Sequence, residues 1–350
     1  MPACLGRPHQ SDNVLYWIFV TDTLRAMPAR TCQPFLTAAR PIEMKQRQLT
    51  TDGTKVSVIG LGTWPLGGAM GDMDLKTAIA VTRTAIDGGI NLIDTAQAYL
   101  KSEERLGKAL KDGYRDRCFL ATKVIDDYSP KGIQRAMDDS LRKLDVDHVD
   151  LYQVHHPDLS YPFDQTFEAM GRLREQGKTR YIGVSNYKVE HLEAALRTSA
   201  LDTNQPRYSM LDRRVENDVL PFCQQHGIGI LTHSPLAKGL LTGRYKAGHQ
   251  FAENDERASL PRFRGERCSH YLRVADELQD IARNKGIGLV QLAIAWIMRL
   301  APVSCVLVGA KNPEQVHDHL RAAEVVLTDE ELDRIEIILQ NTPGHWYDEP

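Results

Sequence analysis

Cysteine is scarce and unpatterned in this chain. Six residues in 350 (Cys4, Cys32, Cys118, Cys223, Cys268 and Cys305) show no Cys-x-x-Cys pair and no regular spacing. In a chain of this length that pattern implies buried or free thiols in a reducing compartment, so a cytoplasmic location is expected. A surplus of either charge is missing too: 43 Lys+Arg stand against 46 Asp+Glu, net -3, with the basic residues scattered. Nothing electrostatic therefore favours a polyanionic partner, and nucleic-acid binding is not expected. The apolar run Val14 to Val20 is seven residues, against about 20 for a spanning helix, and no basic cluster precedes it as a secretory signal requires. No membrane partner is expected. Also absent is a Gly-x-Gly-x-x-Gly fingerprint after a strand, since Gly60 and Gly62 lead into Trp64-Pro65.

What the chain does have is 42% hydrophobic residues, enough for one large core. Residues 1–43 read differently from the rest, with little periodicity and prolines at 2, 8, 28, 34 and 41. They are expected to be a disordered extension, with Met44 as the start of the folded sequence and residues 44–350 as one domain. From Gln48 onward, short apolar runs alternate with longer segments of helical period, the pattern of βα units around a parallel sheet. The runs are Val58–Gly62, Asn91–Asp94, Phe119–Lys123, Val149–His155, Tyr181–Val184, Thr203–Gln205, Ile228–Thr232 and Cys305–Val308. Eight such units predict an α/β fold, a (β/α)8 TIM barrel. Asp52-Gly53 signals a two-residue hairpin that would close the barrel floor. Helices are predicted over Asp74–Asp87, Lys131–Leu144, Pro313–Ala323 and Asp329–Leu339. The Gly- and charge-rich stretch Lys238–Ser269 interrupts the alternation and is predicted to be a lid. The polar tail carrying Trp346 is placed over the substrate mouth.

Asp94, Tyr99, Lys123 and His155 stand at or just beyond the ends of three successive runs, and barrel active sites are built at the carboxyl ends of strands. Reduction of a carbonyl needs a proton donor at its oxygen and groups that stabilise the developing alkoxide. Tyr99 is the expected donor. An ammonium in contact favours phenolate, so Lys123 is expected to lower the phenol pKa, with Asp94 keeping the lysine charged and His155 hydrogen-bonding the carbonyl oxygen or relaying a proton. Each residue alone also suits a structural role, as a packing aromatic, an ion pair or a core histidine. Strand alternation admits only one of His155 and His156 to the site if the strand runs through both, and it leaves the choice open.

The stretches GLGTW, NLIDTAQAY, SEERLGKAL, FLATK, DLYQVHHPD, YIGVSN, NQPRYSML, SPLAKGLLTGRY and VLVGAKNPEQV resemble, in order, the aldo-keto reductase family. The resemblance spans nearly all of residues 46 to 340. It implies an NAD(P)H-dependent oxidoreductase that reduces aldehydes or ketones to alcohols, reversible on alcohols or aldoses, with a small-molecule carbonyl as partner. It gives the histidine role to His155 and makes His156 a wall of the substrate pocket, whose lining is otherwise expected from loop residues, Trp64 and Tyr128 among them. The coenzyme it implies is NADP(H), with NAD(H) as an option. Ser185, Asn186 and Gln205 would meet the nicotinamide carboxamide, and Ser234, Pro235, Leu236 and Gly239 the pyrophosphate, with Thr63 and Gly309 also on the coenzyme path. His233 stands where relatives place a tyrosine against the nicotinamide and is expected to stack there and to be able to carry charge. Lys311 would pair with a 2′-phosphate. Gln315 stands where an arginine often clamps that phosphate, and His319 replaces an asparagine, so the preference for NADPH is expected to be modest. Asp318 is placed at the adenine. Two other classes fit less of the sequence: a coenzyme-sensing subunit with little turnover, and a metallohydrolase built on His155, His156 and Asp158. No metal is expected.

Overall fold

The computed structural model describes residues 43–340. The expectations for residues 1–42 and for Trp346 lie outside the described residues. The chain opens with two short strands, β1 (Gln46–Gln48) and β2 (Lys55–Ser57), paired antiparallel with Arg47 opposite Val56. Eight further strands follow: β3 (Ile59–Gly62), β4 (Leu92–Asp94), β5 (Phe119–Val124), β6 (Val149–Val154), β7 (Thr179–Ser185), β8 (Thr203–Gln205), β9 (Gly229–Thr232) and β10 (Val303–Val308). They close in sequence order into a parallel barrel, β10 returning to β3 with Val306 opposite Ile59. The predicted TIM barrel is the observed fold, and its strand positions agree with the apolar runs to within two residues.

Helices cover the outside because their apolar residues recur on one face. Leu75–Asp87 is capped by the Asp74 carboxylate, which accepts from Thr77 N at 2.8 Å, and Pro130–Leu144 by Ser129 Oγ, which accepts from Gly132 N. Among the described residues no helix is long and apolar enough to cross a membrane.

Inside the barrel, strand alternation sorts the side chains into layers. Leu92, Phe119, Ala121, Leu151, Tyr181, Leu231, Cys305 and Leu307 form an apolar cluster with Leu49 and Val56 of the hairpin, so the hairpin seals this end. Its turn differs from the two-residue form predicted at Asp52-Gly53. Gly53 N donates to Thr50 O at 3.1 Å and Gly53 has φ 90°, making a four-residue turn. The Asp52 carboxylate explains the wider turn, since it accepts from Thr50 Oγ1, Thr54 N and Tyr181 Oη, bolting the hairpin to β7. At the other end of the barrel the inward residues become polar: Asp94, Lys123, Gln153 and Gln205, all buried.

The lid also differs from prediction at its C-terminal border. An α-helix takes over at Gly265 and runs to Lys285, so the irregular segment ends near residue 264. It is fastened across the mouth to the loop after β3: Met70 pairs with Asp255, and Glu256 N donates to Ala69 O at 3.2 Å. The buried ion pair Asp255–Arg257, 2.5 Å, and Arg257 Nη1 on Tyr245 Oη, 2.6 Å, stiffen it from within.

Candidate active site

The last residue of β4 and the inward residues of β5 bring two opposite charges together out of water. Lys123 Nζ lies 2.5 Å from Asp94 Oδ2 and 2.9 Å from Thr95 O, and the two side chains are 0% and 3% exposed. A buried ammonium persists only with such partners. Burial depresses the Lys123 pKa, but Asp94 and then Tyr99 outweigh it and the net direction is upward, so the lysine stays charged. The other carboxylate oxygen, Asp94 Oδ1, accepts from Gln205 Nε2 at 2.8 Å and Gln153 Nε2 at 3.2 Å.

Tyr99 sits in the turn after β4. Its hydroxyl is 3.4 Å from Lys123 Nζ and its ring meets the edges of Trp64 and His155, with centroids 4.8 and 5.6 Å away. The backbone there is held by close approach. A Cβ on Gly67 would lie 2.2 Å from Tyr99 O, so only glycine lets the helix Trp64–Gly67 pack against this turn. Gly67→Ala is expected to lower stability by about 1–3 kcal/mol through overpacking. Gly171→Ala, where a Cβ meets nothing within 4 Å, should be neutral or slightly stabilising. Denaturant unfolding of the two variants checks this, and equal stability of Gly67→Ala and the parent protein would show that the contact is not restrictive.

The phenol pKa moves opposite to the sequence expectation. Burial is the largest influence and raises it; Lys123 lowers it but is opposed by Asp94 and Glu256, leaving the net direction upward. Tyr99 therefore remains a protonated donor through neutral pH. His155 is driven the other way, down to about 2, first by burial and then by Lys123, His156 and His233. Its Nδ1 is buried without a partner. A neutral imidazole so placed carries its proton on Nε2, because an unmet N–H is the costlier orphan.

These side chains border a cavity of about 530 Å³ lined by Tyr99, His155, Trp64, His156 and every predicted coenzyme residue: Thr63, Ser185, Asn186, Gln205, His233, Ser234, Pro235, Leu236, Gly239, Gly309, Lys311, Gln315, Asp318 and His319. Asp94 and Lys123 stand behind Tyr99 and do not line it. Tyr128 does not reach it either. It is 4% exposed, its ring packs against Tyr161, and its hydroxyl accepts from His156 N, which corrects its assignment to the pocket wall. His155 and His156 both line the cavity with rings stacked at 4.8 Å. Strand β6 ends at Val154, so the alternation that would have separated them has already stopped.

Several predicted contacts are engaged with one another. Asn186, at φ 61°, turns back so that its amide donates to His155 O and Ser185 Oγ and accepts from His233 Nε2. His233 Nδ1 lies 2.9 Å from Ser234 Oγ. Burial, then Arg207 and Lys123, holds the His233 pKa well below the usual imidazole range, so the ring is neutral rather than charged. His319 is pushed down to about 4, by burial and then Arg244. Lys311 Nζ donates to Met70 O, Gln315 Oε1 accepts from Lys311 N, and Asp318 Oδ1 accepts from Gln291 Nε2. Sequence reasoning missed Arg207, Lys238, Arg244, Glu256 and Arg257, which also line the cavity. Arg207, Lys238 and Arg244 fall inside the matched stretches NQPRYSML and SPLAKGLLTGRY and could have been found there. Glu256 and Arg257 belong to the lid, where no motif marks them. Trp64 Nε1 and Lys238 Nζ converge on Glu256 Oε1 at 2.8 and 2.9 Å.

Comparison with known proteins places this architecture. The sequence profile described as "Aldo/keto reductase family" matches residues 58–340. The chain is 37% identical over 313 residues to the aldo-keto reductase YhdN of Bacillus subtilis, covering 85% of this chain and 95% of that protein. It is 33% identical over 325 residues to a probable voltage-gated potassium channel subunit beta of Arabidopsis thaliana, covering 86% and 98%. Among solved structures, an aldo-keto reductase from Klebsiella pneumoniae in complex with NADPH superposes with a TM-score of 0.69 at 31% identity, covering 85% of this chain and 95% of that one.

Proposed function

The chain belongs to the aldo/keto reductase family, and from that premise we propose that it reduces aldehyde or ketone carbonyls to alcohols with NADP(H), accepting NAD(H) as well. The observation that carries the reading is the chain Asp94–Lys123–Tyr99, which runs from the buried barrel interior to a hydroxyl on the cavity wall beside His155. In the mechanism, Tyr99 gives its phenolic proton to the carbonyl oxygen. Lys123 stabilises the phenolate left behind, Asp94 keeps the ammonium charged and aimed, and neutral His155 donates from Nε2 to the same oxygen. When bound, the coenzyme supplies the hydride. Because burial lifts the Tyr99 pKa, the adjacent ammonium offsets that penalty rather than producing an unusually acidic phenol.

The residues present suit a dinucleotide. The cavity lies within the range of about 300–1,000 Å³ usual for small-molecule sites. Its lining includes the cations Arg207, Lys238, Arg244, Arg257 and Lys311 against the carboxylates Glu256 and Asp318, a balance that favours phosphates. Positive φ at Ser234, Ala237, Lys238 and Gly239 folds the post-β9 turn so that backbone donors can face an anion. Gln315 lacks the fork with which an arginine grips a 2′-phosphate, so NADPH should be preferred only modestly. The NADPH complex of the Klebsiella relative supports the phosphorylated form. Free thiols at Cys118, Cys223, Cys268 and Cys305 support a cytoplasmic enzyme.

The test is oxidation of NADPH and NADH by the purified protein against aldehydes, ketones and sugars, followed across pH. Multiple turnovers are expected, and between about pH 6 and 9 neither His155 nor Tyr99 should add a limb to the rate, one pKa lying far below that window and the other above the usual phenol value. A limb near pH 6.5 removed by His155→Gln would refute the neutral-histidine role. Coenzyme bound without turnover would reject the reductase and favour the sensor reading, which the similarity to the potassium channel subunit supports.

A further inference from the structure

Gln153 carries no expected role, yet it is 0% exposed at the heart of the site. It lies on β6 two residues before His155, pairs in register with Lys123 and Gly183, and points inward. Room for it comes from Gly183. A Cβ there would approach Gln153 Cγ to 3.2 Å and Thr203 Oγ1 to 2.1 Å. The amide joins two groups of the site: Nε2 donates to Asp94 Oδ1 at 3.2 Å, and Oε1 accepts from Gln205 Nε2, also at 3.2 Å. Gln205 Nε2 uses its other hydrogen on Asp94 Oδ1.

We propose that Gln153 is a positioning residue, which fixes the Asp94 carboxylate so that Oδ2 faces Lys123 and orients the Gln205 amide with Oε1 toward the cavity. A carboxylate with one oxygen on an ammonium can still rotate; two amide donors on the other oxygen define its plane. The same three-way contact leaves Gln205 no free N–H, so it meets an incoming carboxamide as an acceptor. Gln153 thus ties the orientation of the charge relay behind Tyr99 to that of the coenzyme wall. The groups facing Asp94 are Lys123 from β5, Gln153 from β6, Gln205 from β8, Cys305 from β10 and Tyr99 from its own loop; those facing Tyr99 are Lys123, Asp94, His155 and Glu256 of the lid.

This inference rests on the reductase reading, and two variants keep the two separable. Gln153→Met keeps length and loses both polar atoms. It is expected to lower kcat about 10- to 100-fold, in line with misplacement of a supporting group, and to raise the coenzyme Kd read from intrinsic fluorescence by a smaller factor of about three- to tenfold, because Gln205 loses the partner that orients it. Gln153→Glu can restore a donor to Asp94 only as a neutral acid, and the neighbouring carboxylate raises its pKa. Its rate should approach that of the parent protein at low pH and fall as pH rises, a profile that a purely structural role would not produce. A crystal structure of Gln153→Met gives a readout without turnover, and the Asp94 carboxylate is expected to be rotated away from Lys123. An unmoved Asp94, or a Gln153→Glu rate parallel to the parent at every pH, overturns the proposal. Absence of turnover in the parent protein overturns the reductase reading instead, and the crystal structure still decides the positioning role.

Discussion

Tyr99→Phe is expected to reduce carbonyl turnover about a thousandfold, within the range that positioned acid–base groups contribute, and to leave coenzyme affinity nearly unchanged. The hydroxyl is the only atom lost, and at 3.4 Å from Lys123 it is a long hydrogen bond, so the cost to folding should be below about 1 kcal/mol. The phenyl ring would keep its edge contacts with Trp64 and His155. What disappears is the proton donor, and no neighbour replaces it. Lys123 is enclosed behind the ring, and His155, with its pKa pushed to about 2, has no second proton to give at neutral pH. Single-turnover kinetics with saturating NADPH, paired with a fluorescence titration of the coenzyme, separates the two effects. Undiminished chemistry would remove Tyr99 from its role; a large loss of coenzyme binding would mean that the variant has disturbed the pocket wall.

That role was legible in the sequence because a strand end is a position, not merely a residue type. The apolar runs ending at Asp94, Lys123 and next to His155 fixed where three side chains would emerge, while it is the closed barrel that shows Asp94 and Lys123 on its inner face. Gln153 was hidden by its own run, because a polar residue inside an apolar run carries no sign of which partner will satisfy it. Only the closed barrel, which sets β6 and β8 around the end of β4, shows Gln153 and Gln205 meeting at one carboxylate oxygen. Tyr128 failed for the opposite reason: it follows β5 closely enough to suggest the rim, but its ring turned to Tyr161 and away from the cavity. The direction of the Tyr99 pKa was out of reach as well. Sequence names the cation that lowers it, whereas burial, the larger influence, is a property of the packed site.

The largest structural effect should come from Lys123→Met. Removing the cation leaves the Asp94 carboxylate buried among amide donors with no opposite charge, and breaking such a pair costs about 3–5 kcal/mol. A buried carboxylate without a counter-charge is costliest when ionised, so the deficit should be greater at pH 8 than at pH 5. Adding Asp94→Asn removes the stranded charge while Asn still offers an oxygen to Gln153 and Gln205. The double variant should therefore regain most of the lost stability, to within about 1–2 kcal/mol of the parent, and remain as inactive as Lys123→Met because nothing then stabilises the phenolate of Tyr99. Guanidinium unfolding at the two pH values, read beside turnover, distinguishes an ion pair kept for chemistry from one kept for stability. A double variant as unstable as Lys123→Met would assign the pair to the fold, and one that recovered turnover would show that Tyr99 works without its ammonium.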